Sequence, residues 1–157
     1  MKPAHIQELS RYTNWLEKAK HDILLYKQTF NVFDLANVFL SLNALPEWIA
    51  KSDDAPSGLR ALACKKLHIM KGANDTFYLD ETKLSDLDHQ LRFIRVFCNH
   101  SKHADKKKEL PQITMSTTFP LTFPVKFDRI HIGSITIEAL PILESVIRYW
   151  EQEITSA

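Results

Sequence analysis

The sequence predicts a mainly α protein, a bundle of about five helices with a small β-hairpin or two to three short strands before the last helix. Two observations predict this class. Apolar residues recur every three or four positions through most of the chain, which is the period of an amphipathic helix. Thr, Ile, Val and Phe instead concentrate at 112–137, as they do in strands. Because 157 residues is the length of one ordinary domain, we expect a single domain, 1–157, that contains this β insertion.

The first two predicted helices differ in the arrangement of their apolar residues. Residues 4–29 place them in one stripe and carry charges on the opposite face. Residues 31–50 are apolar almost all round, as expected of a helix in the middle of a bundle. Pro46 is expected to kink or restart the second helix, because proline lacks the amide that an interior residue donates.

Three polar side chains interrupt the apolar second helix. Asp34, Asn37 and Ser41 step three and then four residues along one side of it. Buried polar groups need hydrogen-bond partners, so these residues predict a network that fixes the register of the helices. The alternative is that Asp34 or Asn37 faces the polar cluster of the fourth helix and supports a functional site there.

The third and fourth helices have boundary signals. Pro56 suits the first turn of a third helix that runs to Met70 and stops at Gly72. The fourth helix, 83–104, has apolar residues at strict spacings of three and four, with a capping pair expected at its start. The capping pair is Ser85 and Asp88, and the core stripe is Leu84, Leu87, Leu91, Ile94 and Cys98. We expect this stripe to pack against Phe33, Val38, Phe39 or Leu42 of the second helix.

The β insertion is predicted as two stretches, 113–119 and 123–137. Pro120 lies between them and Pro124 at the start of the second, which suits edge strands, and 133–134 has the composition of a turn. A last helix, 139–154, aligns apolar residues on one face. It tolerates Pro141 because this residue lies in the first turn.

Composition excludes several classes of protein. The 20 Lys and Arg against 19 Asp and Glu leave a formal charge of +1, so the whole molecule is not a polybasic nucleic-acid binder. Two cysteines are too few for a disulfide framework, and the start of the chain lacks the apolar region of a secretory signal. We therefore expect a cytoplasmic protein with no membrane partner.

A polar cluster lies on the fourth helix. Five side chains step four, three, four and three residues down one face beside the core stripe. We call this face the polar ridge; it consists of Asp88, Arg92, Arg95, Asn99 and Lys102. The next stripe consists of His89, Val96, His100 and His103. Residues 92–108 contain six basic residues and one acidic residue, which is a local charge of +5 on a nearly neutral chain.

The polar ridge has two interpretations, and its spacing does not choose between them. It can be a solvated face, with Lys106, Lys107 and Lys108 complementing the negative end of the helix dipole. It can also bind phosphate, because Arg, Asn and Lys donate hydrogen bonds to phosphate oxygens. Histidine would add a group that exchanges protons near neutral pH.

No metal and no cofactor are expected. His100 and His103 are three residues apart on a helix, but Cys98 falls on the core stripe and no third ligand has matching spacing. Cys98 is predicted to be a small buried apolar residue. The sequence also has no Walker loop and no GxSxG, HExxH or CxxC motif.

Two segments resemble a family of small uncharacterised bacterial proteins. The family has a segment similar to A-x-N-F-F-V-T-A-x-H-x-x-D-W, followed by a helix similar to R-x-x-A-N-x-x-K-H. The first corresponds here to Ala36, Asn37, Val38, Phe39, Leu40, Ser41, Pro46, Glu47 and Trp48. The second corresponds to Arg95, Cys98, Asn99, Lys102 and His103. The resemblance covers about 30–105 and implies no known activity, and Ala44 stands where the family usually has His.

The fourth helix is also similar, more distantly, to the HEPN helical-bundle domains. Many of these are dimeric ribonucleases of toxin and antiphage systems, with an Arg, four to six residues, and a His. Arg95 and His100 match that spacing, although Val96 stands where the family usually has a polar residue. The resemblance implies a HEPN-like bundle, a metal-independent endoribonuclease and a homodimer.

Together these observations predict a protein that binds phosphate-bearing ligands such as RNA or nucleotide. Arg95 would stabilise charge on a phosphorane, and His103 or His100 would act as general acid or base. The side chains expected to hold the phosphates are Arg92, Asn99, Lys102, Lys106, Lys107 and Lys108. The competing prediction is a non-catalytic module that docks a partner protein or a second copy of itself. The sequence leaves open whether the protein is an enzyme.

Overall fold

The computed structural model describes residues 6–72, 77–102, 113–116 and 126–157, with the backbone alone for 100–102. The α-helices are α1 (Tyr12–Thr29), α2 (Val32–Ala50), α3 (Ser57–Lys71), α4 (Leu87–Lys102) and α5 (Ala139–Ser156). The strands are β1 (Ile113–Ser116), β2 (Arg129–Ile132) and β3 (Ile135–Glu138). Short 3-10 helices cover Gln7–Leu9 and Glu81–Lys83. The predicted fold class is confirmed: the protein is mainly helical, with a small antiparallel sheet before the last helix.

The hairpin of α1 and α2 depends on a tight turn. Phe30 ends α1 in the left-handed region, at φ 48°, and its N–H donates to Tyr26 O at 2.7 Å. Asn31 then caps α2, since its side-chain oxygen accepts the N–H of Asp34 at 2.8 Å. The carbonyl of Phe30 also accepts the N–H of Phe127 at 2.9 Å, which ties this turn to the segment before β2.

The predicted start of α1 is wrong, whereas the predicted range of α2 is confirmed to within one residue. The first helix begins at Tyr12 rather than near residue 4, because Arg11 is extended and its N–H donates to Asn14 Oδ1 at the start of the helix. The second helix is not restarted at Pro46 but runs on to Ala50. A proline removes one helical hydrogen bond, and the buried residues on either side of it keep this helix in place.

The core lies between α2, α4 and α5, with α1 packed against α2. Phe39 of α2 stacks on Phe97 of α4 at 3.8 Å between ring centroids and meets Phe93 edge-on at 5.7 Å. The predicted stripe of α4 is confirmed for Leu91, Ile94 and Cys98, which are completely buried. The free thiol of Cys98 is thus a small core residue, as expected.

One predicted core contact and one predicted cap are wrong. Phe33 is 82% exposed, because it lies on the side of α2 opposite the buried residues. The cap of α4 is Asp86, whose side chain accepts the N–H of His89 at 3.0 Å, and not the pair Ser85 and Asp88. The helix therefore begins at Leu87 rather than at residue 83.

The sheet is a three-stranded meander in the order β1-β2-β3. The predicted turn at 133–134 is confirmed, and Gly133 has a positive φ of 60° that suits glycine. Pro120 and Pro124 lie outside the described residues. Strand residues 117–119 of the prediction also lie outside them, as do 123–125, and the described part of the second stretch, 126–137, forms strand from Arg129. None of the helices in the described ranges is long and apolar enough to cross a bilayer.

The burial of α4 can be measured by replacing Leu91 with Ala. We expect a loss of about 2–5 kcal/mol in the free energy of unfolding, because the substitution leaves a cavity in a fully buried site. Urea titration followed by circular dichroism measures this loss. The control is Leu24→Ala on the 59% exposed Leu24, which should change stability by less than about 0.5 kcal/mol. Equal effects of the two substitutions would show that α4 packs by a different face.

Candidate functional site

The polar ridge is the accessible face of α4. From residue 91 to residue 99, every side chain is buried except Arg92, Arg95 and Asn99, which are half-buried. Their spacing of three and four residues places them in one stripe. The structure therefore confirms that these three residues share a face, and it brings them to the surface of the bundle.

The start of the polar ridge is occupied by contacts between helices. Lys66 Nζ of α3 donates to Asp88 Oδ1 at 2.8 Å and lies 5.7 Å from the centroid of the Tyr149 ring of α5. Burial, together with the charges of Glu153 and Asp88, raises the pKa of Tyr149 to about 12. Asp88 thus joins three helices, which is a structural role.

Arg92 is held against the end of α3. Its guanidinium carbon lies 5.6 Å from the centroid of the buried Phe77 ring. The guanidinium also lies beside Gly72, where a Cβ atom would collide with it. Gly72 has a positive φ of 67° as well, so both its backbone and its neighbour favour glycine. This packing holds Arg92 in place. The residues of the polar ridge that follow it, Arg95, Asn99 and Lys102, are the candidate for ligand contact, and we call them the lower polar ridge.

Arg95 belongs to a group of charges from three helices. Lys51 Nζ, just after α2, donates to Glu47 Oε1 at 2.6 Å. That hydrogen bond, with the charges of Lys51, Lys71 and Arg95, holds the pKa of Glu47 below its ordinary value. We call these four residues the basic cluster. The cluster contains three cations and one carboxylate, so its net charge is positive.

The basic cluster joins the two segments on which the family resemblance depends. Glu47 comes from the first segment and Arg95 from the second, and Lys71 was not foreseen from the sequence. Asn99 lies one helical turn after Arg95 and is half-buried. The side chains of His100 and Lys102, and all of His103 and 106–108, lie outside the described residues.

Two of the three polar residues of α2, Asp34 and Ser41, are hydrogen-bonded to α1. Ser41 Oγ donates to Asp22 Oδ2 at 2.6 Å, and Lys18 Nζ donates to the same carboxylate oxygen at 2.6 Å and to Ser41 Oγ at 2.7 Å. The predicted register network is therefore confirmed for Ser41. Asp34 accepts the hydroxyl of Thr29, while Asn37 is exposed rather than buried. The described hydrogen bonds of Asp34 and Ser41 do not reach α4.

His89 is a candidate that the sequence did not single out. Its Nε2 accepts the N–H of Asp80 at 3.1 Å, and its ring packs on Phe77 with 5.1 Å between centroids. It lines an open cleft of about 650 Å³ together with 78–83 and Ser134–Ile135. Burial is the largest effect on its pKa and lowers it below 6.5, because desolvation disfavours the imidazolium. His89 therefore holds the connection between α3 and α4 as a neutral ring.

Comparisons with protein-family models, with curated proteins and with solved structures gave no match. Within the described ranges, no group of three or more His, Cys, Asp or Glu side chains is arranged to hold a metal ion. The candidate sites are therefore the lower polar ridge with the basic cluster, and the surfaces near His89 and the sheet.

Acid should weaken the fold through His89. In the unfolded chain this ring titrates near 6.5, whereas its folded-state pKa is lower, so the unfolded chain binds the extra proton first. The contribution of His89 to stability is thus present above pH 6.5 and is lost as the pH falls through the folded-state pKa. Protonation also removes the acceptor of the Asp80 N–H. Urea titrations at a series of pH values from 7.5 downwards measure the effect.

The control for this effect is His89→Gln, which keeps an acceptor but does not titrate. We expect the loss of stability on acidification to be smaller in this variant than in the natural chain, because the other ionisable groups are unchanged. Parallel pH profiles for the two proteins would show that His89 titrates alike in the folded and unfolded chains.

Proposed function

We propose that the protein binds the phosphate groups of RNA or nucleotide through the basic cluster and the lower polar ridge. The observation that supports this is a local excess of positive charge: Lys51 is paired with Glu47, and the charges of Lys71 and Arg95 lower the pKa of the same carboxyl. An excess of positive charge on a surface attracts phosphate, and contacts to phosphate position a nucleic acid without reading its sequence.

Arg95 and Asn99 supply the hydrogen-bond donors for such a contact. A guanidinium can donate two parallel hydrogen bonds to a phosphate, and a carboxamide donates through its NH₂ group. Arg95 is half-buried, so its side chain has less freedom to lose on binding than a fully exposed one. Lys102 and 106–108 follow on the same chain segment and would extend the positive surface.

Metal-independent RNA cleavage is the catalytic form of this proposal. Arg95 would stabilise the negative charge of the phosphorane, and His103 or His100 would transfer the proton. This assignment depends on the resemblance to HEPN ribonucleases of toxin and antiphage systems, in which a homodimer brings two such helices together. Incubation with total RNA, beside an Arg95→Ala variant, distinguishes cleavage from binding alone.

A second candidate function is a non-catalytic interaction module. Phe33 is 82% exposed and Val32 is 37% exposed at the start of α2. Large apolar side chains at the centre of a protein interface contribute strongly to its affinity. This observation favours a partner protein or a second copy at the tip of the α1–α2 hairpin, away from the buried contacts of α2.

Loss of positive charge from the basic cluster should weaken RNA binding. We expect the double variant Lys71→Gln, Arg95→Gln to bind a labelled single-stranded RNA at least about tenfold more weakly at low salt, because charged hydrogen bonds are worth about 1.5–3 kcal/mol. The slope of log K against log salt should fall by about 0.7 for each phosphate that the variant no longer neutralises. Fluorescence anisotropy at several salt concentrations measures both quantities.

The matched control is Lys65→Gln, Arg148→Gln, which removes one Lys and one Arg from exposed positions on α3 and α5 that do not belong to the basic cluster. This control should retain the affinity of the natural chain. Replacement of Lys106, Lys107 and Lys108 together by Ser should also flatten the salt dependence. Absence of binding at low salt, or an equal loss in the control, would exclude the phosphate proposal and favour the interaction module.

The two histidines after Asn99 can be separated by substitution. We expect His103→Ala to lower RNA binding or cleavage more than His100→Ala, because a residue four positions after Asn99 lies beside it on a helix. The same anisotropy and cleavage assays compare the two variants. A defect confined to His100→Ala would instead indicate a dimeric ribonuclease in which His100 meets the Arg95 of a second chain.

A further inference from the structure

The small sheet has one apolar face and one polar face. Ile130, Ile132 and Ile137 are buried in the core. Side chains alternate along a strand, so the intervening residues project from the opposite face. These are Thr114, Ser116, Arg129, His131, Thr136 and Glu138. All six are exposed or half-buried, and they are independent of the basic cluster.

His131 is at the centre of a hydrogen-bonded chain across all three strands. Its Nδ1 lies 2.7 Å from Thr136 Oγ1 of β3, and its Nε2 is hydrogen-bonded to Ser116 Oγ of β1. With the ring proton on Nδ1, this nitrogen donates to Thr136, and the Ser116 hydroxyl donates to Nε2. The hydroxyls can accept from both ring nitrogens, so the chain also accommodates the imidazolium.

We propose that Ser116 is a nucleophile for carboxylic esters, with His131 as its general base and Thr136 as the residue that positions the imidazole. A serine hydroxyl is a weak nucleophile unless an adjacent base removes its proton, and the base must itself be oriented by a third group. The three side chains meet both conditions. This activity is separate from the proposed phosphate binding and does not depend on it.

Arg129 brings a guanidinium to the same polar face of the sheet as the serine. The strand register places it directly opposite Ser116, and its Nη1 lies 2.7 Å from Glu138 Oε1 of β3. That ion pair holds the guanidinium over the polar face of the sheet. Negative charge develops on the carbonyl oxygen of an ester as the serine attacks, and a cation on the same face stabilises it to the extent that the paired Glu138 carboxylate leaves its charge uncompensated.

The reaction has two steps. Ser116 Oγ forms a bond to the carbonyl carbon while its proton moves to His131 Nε2. The bond from that carbon to the leaving oxygen then breaks, and the proton passes from His131 to the leaving alkoxide. In the second step water attacks the acyl-serine with His131 as base, the carboxylic acid leaves, and Ser116 regains its proton.

A fluorophosphonate probe tests the nucleophile directly in the full chain. Ser116 Oγ would form a bond to phosphorus, fluoride would leave, and His131 would take the proton. We expect peptide mass spectrometry to locate the label at Ser116 in the folded protein and not after heat denaturation. His131→Asn should slow labelling by at least about 100-fold, because general base catalysis typically contributes that much. Hydrolysis of p-nitrophenyl acetate should also be slower in His131→Asn than in the chain with the natural histidine. Both proteins carry Cys64→Ser, which removes the exposed thiol.

Two threonines provide a matched test of positioning. Thr114 and Thr136 are both exposed and both lie opposite His131 in the register, and of these two described residues only Thr136 is hydrogen-bonded to its ring. Thr136→Val should slow labelling about tenfold or more, Thr136→Ser should restore it, and Thr114→Val should leave it unchanged. Absence of label at Ser116 would overturn the proposal, as would equal rates in the natural chain and His131→Asn. Circular dichroism on each variant excludes misfolding as the cause of a reduced rate.

Discussion

The stack of Phe39 on Phe97, at 3.8 Å between ring centroids, fixes the position of α4 against α2. Aromatic pairs in a core remove a large apolar area from water and also prefer a definite geometry. Once Phe97 and Phe93 face α2, the periodicity of the helix leaves a single stripe at the surface between residues 91 and 99. That stripe carries Arg95 and Asn99. The placement of the candidate phosphate-binding side chains is thus a consequence of core packing.

Polar groups inside the bundle are arranged so that they specify this packing. Lys18, Asp22 and Ser41 form a closed set of hydrogen bonds between α1 and α2, and a shift of either helix along its axis would break it. A buried carboxylate without its partner is costly, so the network penalises other registers more than it adds stability. The pairing of Lys66 with Asp88 and the packing of Arg92 on Phe77 do the same between α3 and α4.

The two proposed sites are both built from polar side chains that rigid elements hold at the surface. In each, rigid elements bring polar side chains to one surface, so little order has to be created when a ligand binds. The basic cluster combines charges from separate helices, which makes it suited to binding phosphate groups independently of the nucleotide sequence. The polar face of the sheet combines hydroxyls with one imidazole in a hydrogen-bonded chain along which a proton can move. Electrostatic attraction dominates the first site, and hydrogen-bond direction dominates the second.

The sequence by itself determined the helical class, the core stripe of α4 and the solvent-facing spacing of Arg92, Arg95 and Asn99. These follow from periodicity, because an apolar stripe must be buried whatever its partner. Only the tertiary structure decided that the charge of Arg95 acts on Glu47 and that His131 joins two hydroxyls from neighbouring strands. Such contacts link residues that are far apart in the chain. The periodicity of one element does not show the register in which strands pair or the angle at which helices cross, and these bring the residues together. The exposure of Phe33 was missed for the same reason, since an almost uniformly apolar helix does not show which of its sides is buried.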